Sequence, residues 1–274
     1  MKRKDFLMSM GLGIAATGTS HGSLNKLTKP SANLSIGLAS YTLRKYSLDE
    51  LIDIMLRLGM KDVCLKSFHL PYEASSEELS QIVSKLKARG LNPYGAGVIY
   101  FKTEEEVEKH FNYAKAAGIG MIVGAPEHHL LPLIEKKVKE TNIKLAIHNH
   151  GPEDRIFPSP ETVYEKIKDL DHRIGLCIDC GHTFRMNQDP ATEIKRFKDR
   201  LFDCHLKDLE ERTLKAMNIE VGRGVMDIPS IIKALKEINY TGVVGMEYEK
   251  DADHAAYGLT ESVGYVRGIL KMTN

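Results

Sequence analysis

The chain has 274 residues, of which 42% are hydrophobic and 27% charged, and its formal net charge is +1. Such a chain is long enough to bury a substantial core. Its composition excludes an intrinsically disordered protein, and its near-neutral charge excludes the basic balance of a nucleic-acid-binding domain, so no nucleic-acid partner is expected.

The first thirty residues differ from the rest. Lys2, Arg3 and Lys4 precede a short apolar stretch from Phe6 to Thr17, and small and polar residues follow, which is the order of an export signal. The start resembles a twin-arginine signal with Lys4 in place of the second arginine. The apolar stretch is too short to span a bilayer. The expectation is therefore an exported, periplasmic protein with no stable membrane insertion after signal removal; a cytoplasmic protein with an N-terminal tail is the alternative. Residues 1–30 are read as this segment and 31–274 as one catalytic domain. Five basic residues and one acid lie in the first thirty, so removing them turns the charge of +1 into −3.

From residue 34 onward, short apolar runs alternate with segments of helical spacing. The runs are 34–40, 62–67, 92–100, 121–126, 144–150, 174–182, 201–208 and 243–249. Their near-continuous hydrophobicity suits parallel strands covered on both faces. Between them, Leu48, Leu51, Ile52, Met55 and Leu58 share one helical face, as do Leu79, Ile82, Val83 and Leu86, and later Ile231, Ile232, Leu235 and Ile238. Ser47 with Glu50, Ser75 with Glu78 and Thr103 with Glu106 have capping-box spacing. Gly59, Gly90 and Gly118 fall where helices should stop, and Asp227 precedes a helix with Pro229 in its first turn. Eight βα units in one order predict a single (β/α)₈ barrel, a TIM barrel of eight parallel strands with outer helices. An open doubly wound sheet is the runner-up, and no glycine-rich dinucleotide fingerprint follows any strand.

A (β/α)₈ barrel carries its active site at the C-terminal ends of the strands. Strand five ends His148-Asn149-His150, strand six ends Asp179-Cys180-Gly181-His182, strand seven carries His205-Leu206-Lys207-Asp208, and strand eight carries Glu247-Tyr248-Glu249. Glu127, His128 and His129 follow strand four. Six of the eleven histidines thus fall at or just past the ends of strands four to seven, and mixed nitrogen and oxygen ligands on adjacent rigid strands suit one divalent metal ion. Manganese, magnesium, cobalt and zinc all accept such ligands. Cys177 and Cys180 form a lone CxxC, read as lying along one strand with its thiols on opposite faces, a poor chelate; a Cys180–Cys204 bridge between adjacent strands stays open.

The stretches IHNHGPED, IGLCIDCGHTFRMNQDP, RLFDCHLKD, VGRGVMDIP and GVVGMEYEKD resemble the xylose-isomerase-like TIM barrels, the sugar phosphate isomerase/epimerase family, over residues 33 to 272. The resemblance implies one divalent metal held by residues of strands five to eight, with Asp179, His205 and Glu247 in the last three places. His148 stands where the family often has Glu, a departure that brings the HNH element nearer to inosose dehydratase than to ketose 3-epimerases with two metal-bound glutamates. Glu127 is a candidate for the missing carboxylate.

The implied reaction is proton abstraction next to a carbonyl, through an enediolate, on a small-molecule sugar or sugar derivative. His148, His150 and Glu247 are the candidate bases, with a strand-five histidine favoured and Glu247 mainly a ligand. His182, Lys207, Glu249, Lys66 and Glu127 are candidate substrate contacts, with His69, Tyr41 and Arg44 near the opposite side. Lys207 with Asp208 reads alternatively as a surface ion pair, and Arg223 as a phosphate contact or a solvated loop residue. Reprotonation gives an isomerase or epimerase. Loss of a β-substituent gives a dehydratase or lyase acting on a keto-sugar, keto-inositol or keto-glycoside. An AP endonuclease and a non-catalytic sugar-binding barrel are the remaining readings. The sequence leaves assembly into a homo-oligomer open.

Overall fold

Strand, helix and strand follow one another around a closed ring. The structure is a computed structural model that describes residues 34–273; the export segment lies outside the described residues. Eight parallel strands, β1 (Ser35–Ala39), β2 (Asp62–Leu65), β3 (Asn92–Phe101), β4 (Met121–Pro126), β5 (Lys144–His148), β6 (Ile174–Asp179), β7 (Leu201–Leu206) and β8 (Val243–Met246), pair in chain order. The ring closes where β1 pairs with β8, Ser35 opposite Val243 and Leu38 opposite Met246. This is the TIM barrel expected from the alternating pattern.

The outer layer is α1 (Leu48–Arg57), α2 (Ser76–Ala88), α3 (Glu104–Ala116), α4 (Leu131–Thr141), α5 (Pro160–Ile167), α6 (Cys180–Arg185), α7 (Pro190–Arg196), α8 (Ile228–Glu237) and α9 (Ala255–Met272). The three expected capping boxes form: Ser47, Ser75 and Thr103 each accept from the backbone of the glutamate three residues on, which reaches back in turn. Each cap satisfies amides that the first turn leaves free and is worth about 1 kcal/mol. Gly59, Gly90 and Gly118 have φ of 59°, 78° and 64°, the left-handed conformation that ends a helix without a Cβ clash. Each helix then buries its apolar stripe. In α1, Leu51, Ile52 and Met55 are fully buried against the barrel, and each such side chain contributes about 1.5–3 kcal/mol by leaving water. Truncating Leu51 to Ala would cost about 2–5 kcal/mol.

Two clusters make up the core. The large one lies between strands and helices. The small one, with Cys64, Val98, Met121, Val123, Ala146 and Cys177, fills the space inside the ring. The strands stop earlier than the hydrophobic runs suggested. β5 ends at His148, β6 at Asp179 and β8 at Met246, because the residues beyond turn to build the site or, after β6, enter α6. Cys180 is therefore the first residue of α6 and does not share a strand with Cys177. Its sulfur lies 3.7 Å from that of Cys204, in contact but unbridged, and all four cysteines are free and buried.

One irregular segment matters. After β7 the chain forms a short antiparallel ladder, Asp208–Leu209 with Asn218–Ile219, before α8. Asp208 is fully buried, not a surface partner of Lys207. Its carboxylate accepts from the amides of Leu209 at 2.9 Å, Gly222 at 2.9 Å, Gly224 at 3.0 Å and Met226 at 3.2 Å. A Cβ at Gly224 would come within 2.2 Å of Asp208 Oδ1, so the turn closes only over glycine. Arg223, at its tip, pairs with Glu261 at 2.7 Å.

Candidate active site

Parallel strands deliver alternate side chains to the barrel interior. At the C-terminal mouth, His148 of β5, Asp179 of β6, His205 of β7 and Glu247 just past β8 converge. One ligand atom from each lies within 4.8 Å of the other three. All four are buried, His148 at 2%, Asp179 at 0%, His205 at 1% and Glu247 at 6% exposure, so no solvent shell competes for them. Glu127, at the turn after β4, stays outside this cluster.

The contacts are specific. His148 Nε2 is 3.3 Å from Asp179 Oδ2, and His205 Nδ1 is 3.1 Å from Glu247 Oε2. Lys207, two residues beyond His205 and so on the same strand face, brings its ammonium to 2.9 Å from both Asp179 Oδ2 and Glu247 Oε2, and it also pairs with Glu249. Its stem passes under the start of α6, where a Cβ on Gly181 would come within 2.5 Å of Lys207 Cγ. Asn149 holds the β5–β6 ends in register, accepting from the Asp179 amide at 3.0 Å, while Asp179 Oδ1 accepts from the His182 amide at 2.7 Å and caps α6.

Electrostatics follow from this packing. Burial alone would discharge Lys207, but Asp179, Glu247 and Glu249 outweigh it and hold its pKa well above that of an ordinary lysine. Burial likewise opposes the charge on Asp179 and Glu247. Lys207 and His182 overcome it at the first, His205 and Lys207 at the second, so both carboxyls lie well below the usual range. His148 is driven well below the ordinary imidazole value, by burial first and then by His150, and remains neutral with one ring-nitrogen lone pair to offer. His205 goes the other way. Burial disfavours its charge, but Cys177, Glu247 and Asp203 around it raise its pKa well above the ordinary value.

These residues fit a divalent cation. His148 is buried with neither ring nitrogen in a well-formed hydrogen bond, the condition expected of a group that awaits a ligand. Three carboxylates surround the one ammonium of Lys207, an excess of acidic groups that suits a cation. Two imidazoles with two carboxylates form a donor set that zinc, manganese and cobalt accept. Behind His205 stands Asp203, a fully buried carboxylate that sequence reasoning missed. Its Oδ2 is 3.5 Å from His205 Nε2, and it accepts from Tyr94 OH at 3.1 Å and from the Cys204 amide at 3.0 Å. A carboxylate on the outer nitrogen of a ligating histidine fixes its tautomer and orientation. The signal was present in the sequence: Asp203, His205 and Lys207 alternate at the period of one strand face.

A cavity of about 400 Å³ opens beside the cluster, lined by His150, His182, Arg185, Glu249 and the 214–218 segment among others. His182 is half-buried there. Arg185 Nη1 lies 3.2 Å from His182 Nδ1, and because a guanidinium only donates, Nδ1 accepts and the proton sits on Nε2. His150 borders the same cavity with Nδ1 3.3 Å from Asp154 and Nε2 3.0 Å from Tyr100 OH. Lys66 donates to the Val98 carbonyl and sits over the Tyr100 ring, 5.4 Å from its centroid. His69 is buried on Ser40 Oγ and the Tyr46 carbonyl, at 3.1 and 3.0 Å, so it holds the chain after β1 and does not line the cavity. Arg44 stacks on Tyr41 and donates to the Glu249 carbonyl at 2.9 Å. His128 Nε2–H donates to the Ile156 carbonyl at 3.2 Å, on the flank of the 151–158 turn.

A closed eight-stranded barrel whose mouth gathers such groups belongs to the TIM barrels with their chemistry at the C-terminal face. Residues 52–269 match the xylose isomerase-like TIM barrel family, and the chain belongs to it. It is 22% identical over 196 residues to the inosose dehydratase of Clostridium perfringens, covering 56% of this chain and 65%, just under two thirds, of that enzyme. The zinc-bound IolI protein shares the fold with a TM-score of 0.74 and 15% identity, over 87% of this chain and 99% of that one. The 3-keto-D-glucoside 4-epimerase YcjR of E. coli shares it with a TM-score of 0.71 and 14% identity, over 86% and 100%.

Proposed function

We propose that this protein is a divalent-metal-dependent enzyme that removes a proton next to the carbonyl of a keto-sugar or keto-cyclitol and proceeds through an enediolate. One observation carries this reading: four buried ligand atoms, two imidazole and two carboxylate, within 4.8 Å of one another beside an open cavity. His148, Asp179, His205 and Glu247 would hold the cation, whose chemistry when bound would be Lewis-acid polarisation of the substrate carbonyl and charge stabilisation of the enediolate. Lys207 keeps Asp179 and Glu247 ionised as ligands. His182 offers an Nε2–H donor to a substrate oxygen. His150, open to the cavity where His148 is sealed among the ligands, is the proton acceptor on the β5 side.

His148 also bears on the outcome. A ligand carboxylate at this place would give a base on each face of the sugar, as epimerisation requires; an imidazole turned toward Asp179 leaves one acceptor side. Elimination, by a dehydratase or lyase, is thereby favoured over a second protonation that gives an isomerase or epimerase product. The dehydratase among the relatives supports the same branch. We place the mature protein in the periplasm on the strength of the N-terminal segment, which cell fractionation tests.

The test is metal content of the purified protein beside an Asp179→Ala/His205→Ala variant, with deuterium incorporation from D₂O into a panel of keto-inositols and keto-glycosides. Stoichiometric metal, lost in the variant, with metal-dependent incorporation is the expected result. Products then separate elimination from epimerisation. Absence of metal binding by the unsubstituted protein refutes the proposal.

A further inference from the structure

Two side chains on one wall of the cavity keep a donor without an acceptor. The first is Arg185, the last residue of α6, half-buried beside His182. Its Nη1 donates to His182 Nδ1 at 3.2 Å and its Nη2 to the Ala216 carbonyl at 2.7 Å, while its Nε is buried without a partner. An accepting imidazole and a carbonyl are both neutral. Among the described residues no carboxylate pairs with Arg185, so its charge stands uncompensated. The second is Asn218, in the short ladder after β7, which lines the same cavity and is only 7% exposed. The Glu249 amide donates to its Oδ1 at 3.2 Å. A backbone amide only donates, so that contact fixes which way the side chain is turned. Nδ2 is left with both hydrogens, buried and without an acceptor. Arg185 reaches Ala216, two residues before Asn218, so the end of α6 and the ladder meet at this wall.

A buried donor without an acceptor carries its whole desolvation penalty, and native proteins keep few of them. A guanidinium offers no lone pair, and the Asn218 amide, turned as it is, presents only N–H groups here. Their common complement is an acceptor that also brings negative charge. The acids on the same wall do not supply it. Glu249 is engaged by Lys207, and Glu153 is exposed.

We propose that Arg185 and Asn218 form a subsite for a carboxylate of the substrate, which makes that substrate a keto-sugar acid and not a neutral keto-sugar. This rests on the enolisation reading above and narrows it. A carboxylate has two oxygens in one plane, one for the guanidinium and one for the amide. A phosphate carries more oxygens and more charge than these two donors match. Both residues bind and select; neither moves a proton. The ladder holds Asn218 opposite Leu209, next to the buried Asp208, so the subsite is built on the same anchored segment that forms the cavity wall.

Calorimetric titration of manganese-loaded protein with methyl β-D-glucuronide and methyl β-D-glucoside tests it. The two sugars differ only in a carboxylate against a hydroxymethyl group, and neither carries a ketone. The glucuronide is expected to bind about 10–100-fold more tightly, the range for hydrogen bonds to a charged group. Arg185→Met should abolish the preference. Because that substitution also releases Ala216, Asn218→Asp is the second variant. It keeps the acceptor for the Glu249 amide and sets a carboxylate where the free donor was, and it should weaken the glucuronide by about tenfold or more while leaving the glucoside unchanged. Equal affinities, or no binding of the glucuronide, overturn the proposal. So does a preference that survives both variants, which places the carboxylate on the cation, and so does tighter binding of methyl β-D-glucoside 6-phosphate, which assigns the wall to a phosphate. Deuterium exchange from D₂O into the 3-keto forms of the same two sugars separates this from the reaction: exchange with a lower KM for the acid is expected, and exchange into neither overturns the enolisation reading while the binding ratio still decides the subsite.

Discussion

Replacing Lys207 with Met removes the one ammonium among Asp179, Glu247 and Glu249 while keeping the volume of its stem. The side chain is 1% exposed, so water does not replace the lost charge. Stranding buried partners in this way costs about 3–5 kcal/mol. For a domain of this size each kcal/mol moves Tm by about 2–4 °C, so metal-free Lys207→Met should melt about 6–20 °C below the metal-free unsubstituted protein. Metal acts in the opposite sense. The variant's site has one positive charge fewer than the original, and it should bind manganese or zinc at least tenfold more tightly, a change of about 1.4 kcal/mol. At a concentration of 100 times Kd, the ion returns about 2.7 kcal/mol of the loss. Thermal denaturation with chelator and with graded metal, beside calorimetric titration, reads both effects. A metal-free variant as stable as the parent, or one that binds metal more weakly, would refute the charge account of this site.

Three further outcomes follow from the same packing. Asp203→Asn should weaken metal binding by about 10–100-fold, the usual effect of losing an outer-shell carboxylate, and calorimetry showing an unchanged Kd in a folded variant would remove Asp203 from the site. His182 has its pKa lowered to about 4, by burial first, against an unfolded value near 6.5. The unfolded chain therefore binds more protons across that interval, and metal-free stability should fall as pH drops from 6.5 to 4, by at most about 3 kcal/mol from this residue; His182→Gln should flatten the profile in urea titrations, and an unchanged profile would show that the ring carries no such load. Ellman's reagent should find no reactive thiol in the native protein and four after denaturation without reductant, since all four cysteines are buried and unbridged and burial pushes Cys64 up to about 11; two thiols would mean a Cys180–Cys204 bridge.

The barrel was legible because parallel strands covered on both faces must be apolar throughout, and the boxes at Ser47, Ser75 and Thr103 marked where helices begin. His148, Asp179, His205 and Glu247 were legible for a related reason: polar residues at the ends of four successive apolar runs have one common destination in a closed barrel. Lys207 and Asp208 were harder to read. As neighbours on a strand end they suggested an exposed pair, yet alternation sends Lys207 inward with Asp203 and His205, and Asp208 to a cluster of amides that no side-chain pattern announces. The His150–Asp154–Tyr100 contact joins residues up to 54 positions apart through a turn whose shape is set by backbone hydrogen bonds, so spacing alone did not reveal it. Glu127 illustrates the converse, a carboxylate adjacent in sequence to a strand end and outside the cluster in space.

The anchoring of the segment after β7 has a consequence for how such a site can diversify. Asp208 holds Leu209, Gly222, Gly224 and Met226 through their main-chain N–H groups, which every residue except proline supplies. The stretch from Glu210 to Met217, with Leu214 and Met217 each 62% exposed on the cavity wall, is thus tied down at both ends by bonds indifferent to its own side chains. Apart from Ala216, which is buried in the core, and Arg212, which stacks on Phe184, its residues can be exchanged without touching the barrel or the ligand set. Libraries confined to the exposed positions of this stretch should yield folded, metal-binding proteins that differ in what they accept, a division of labour in which inheritance of the reaction and invention of its substrate are assigned to separate stretches of chain.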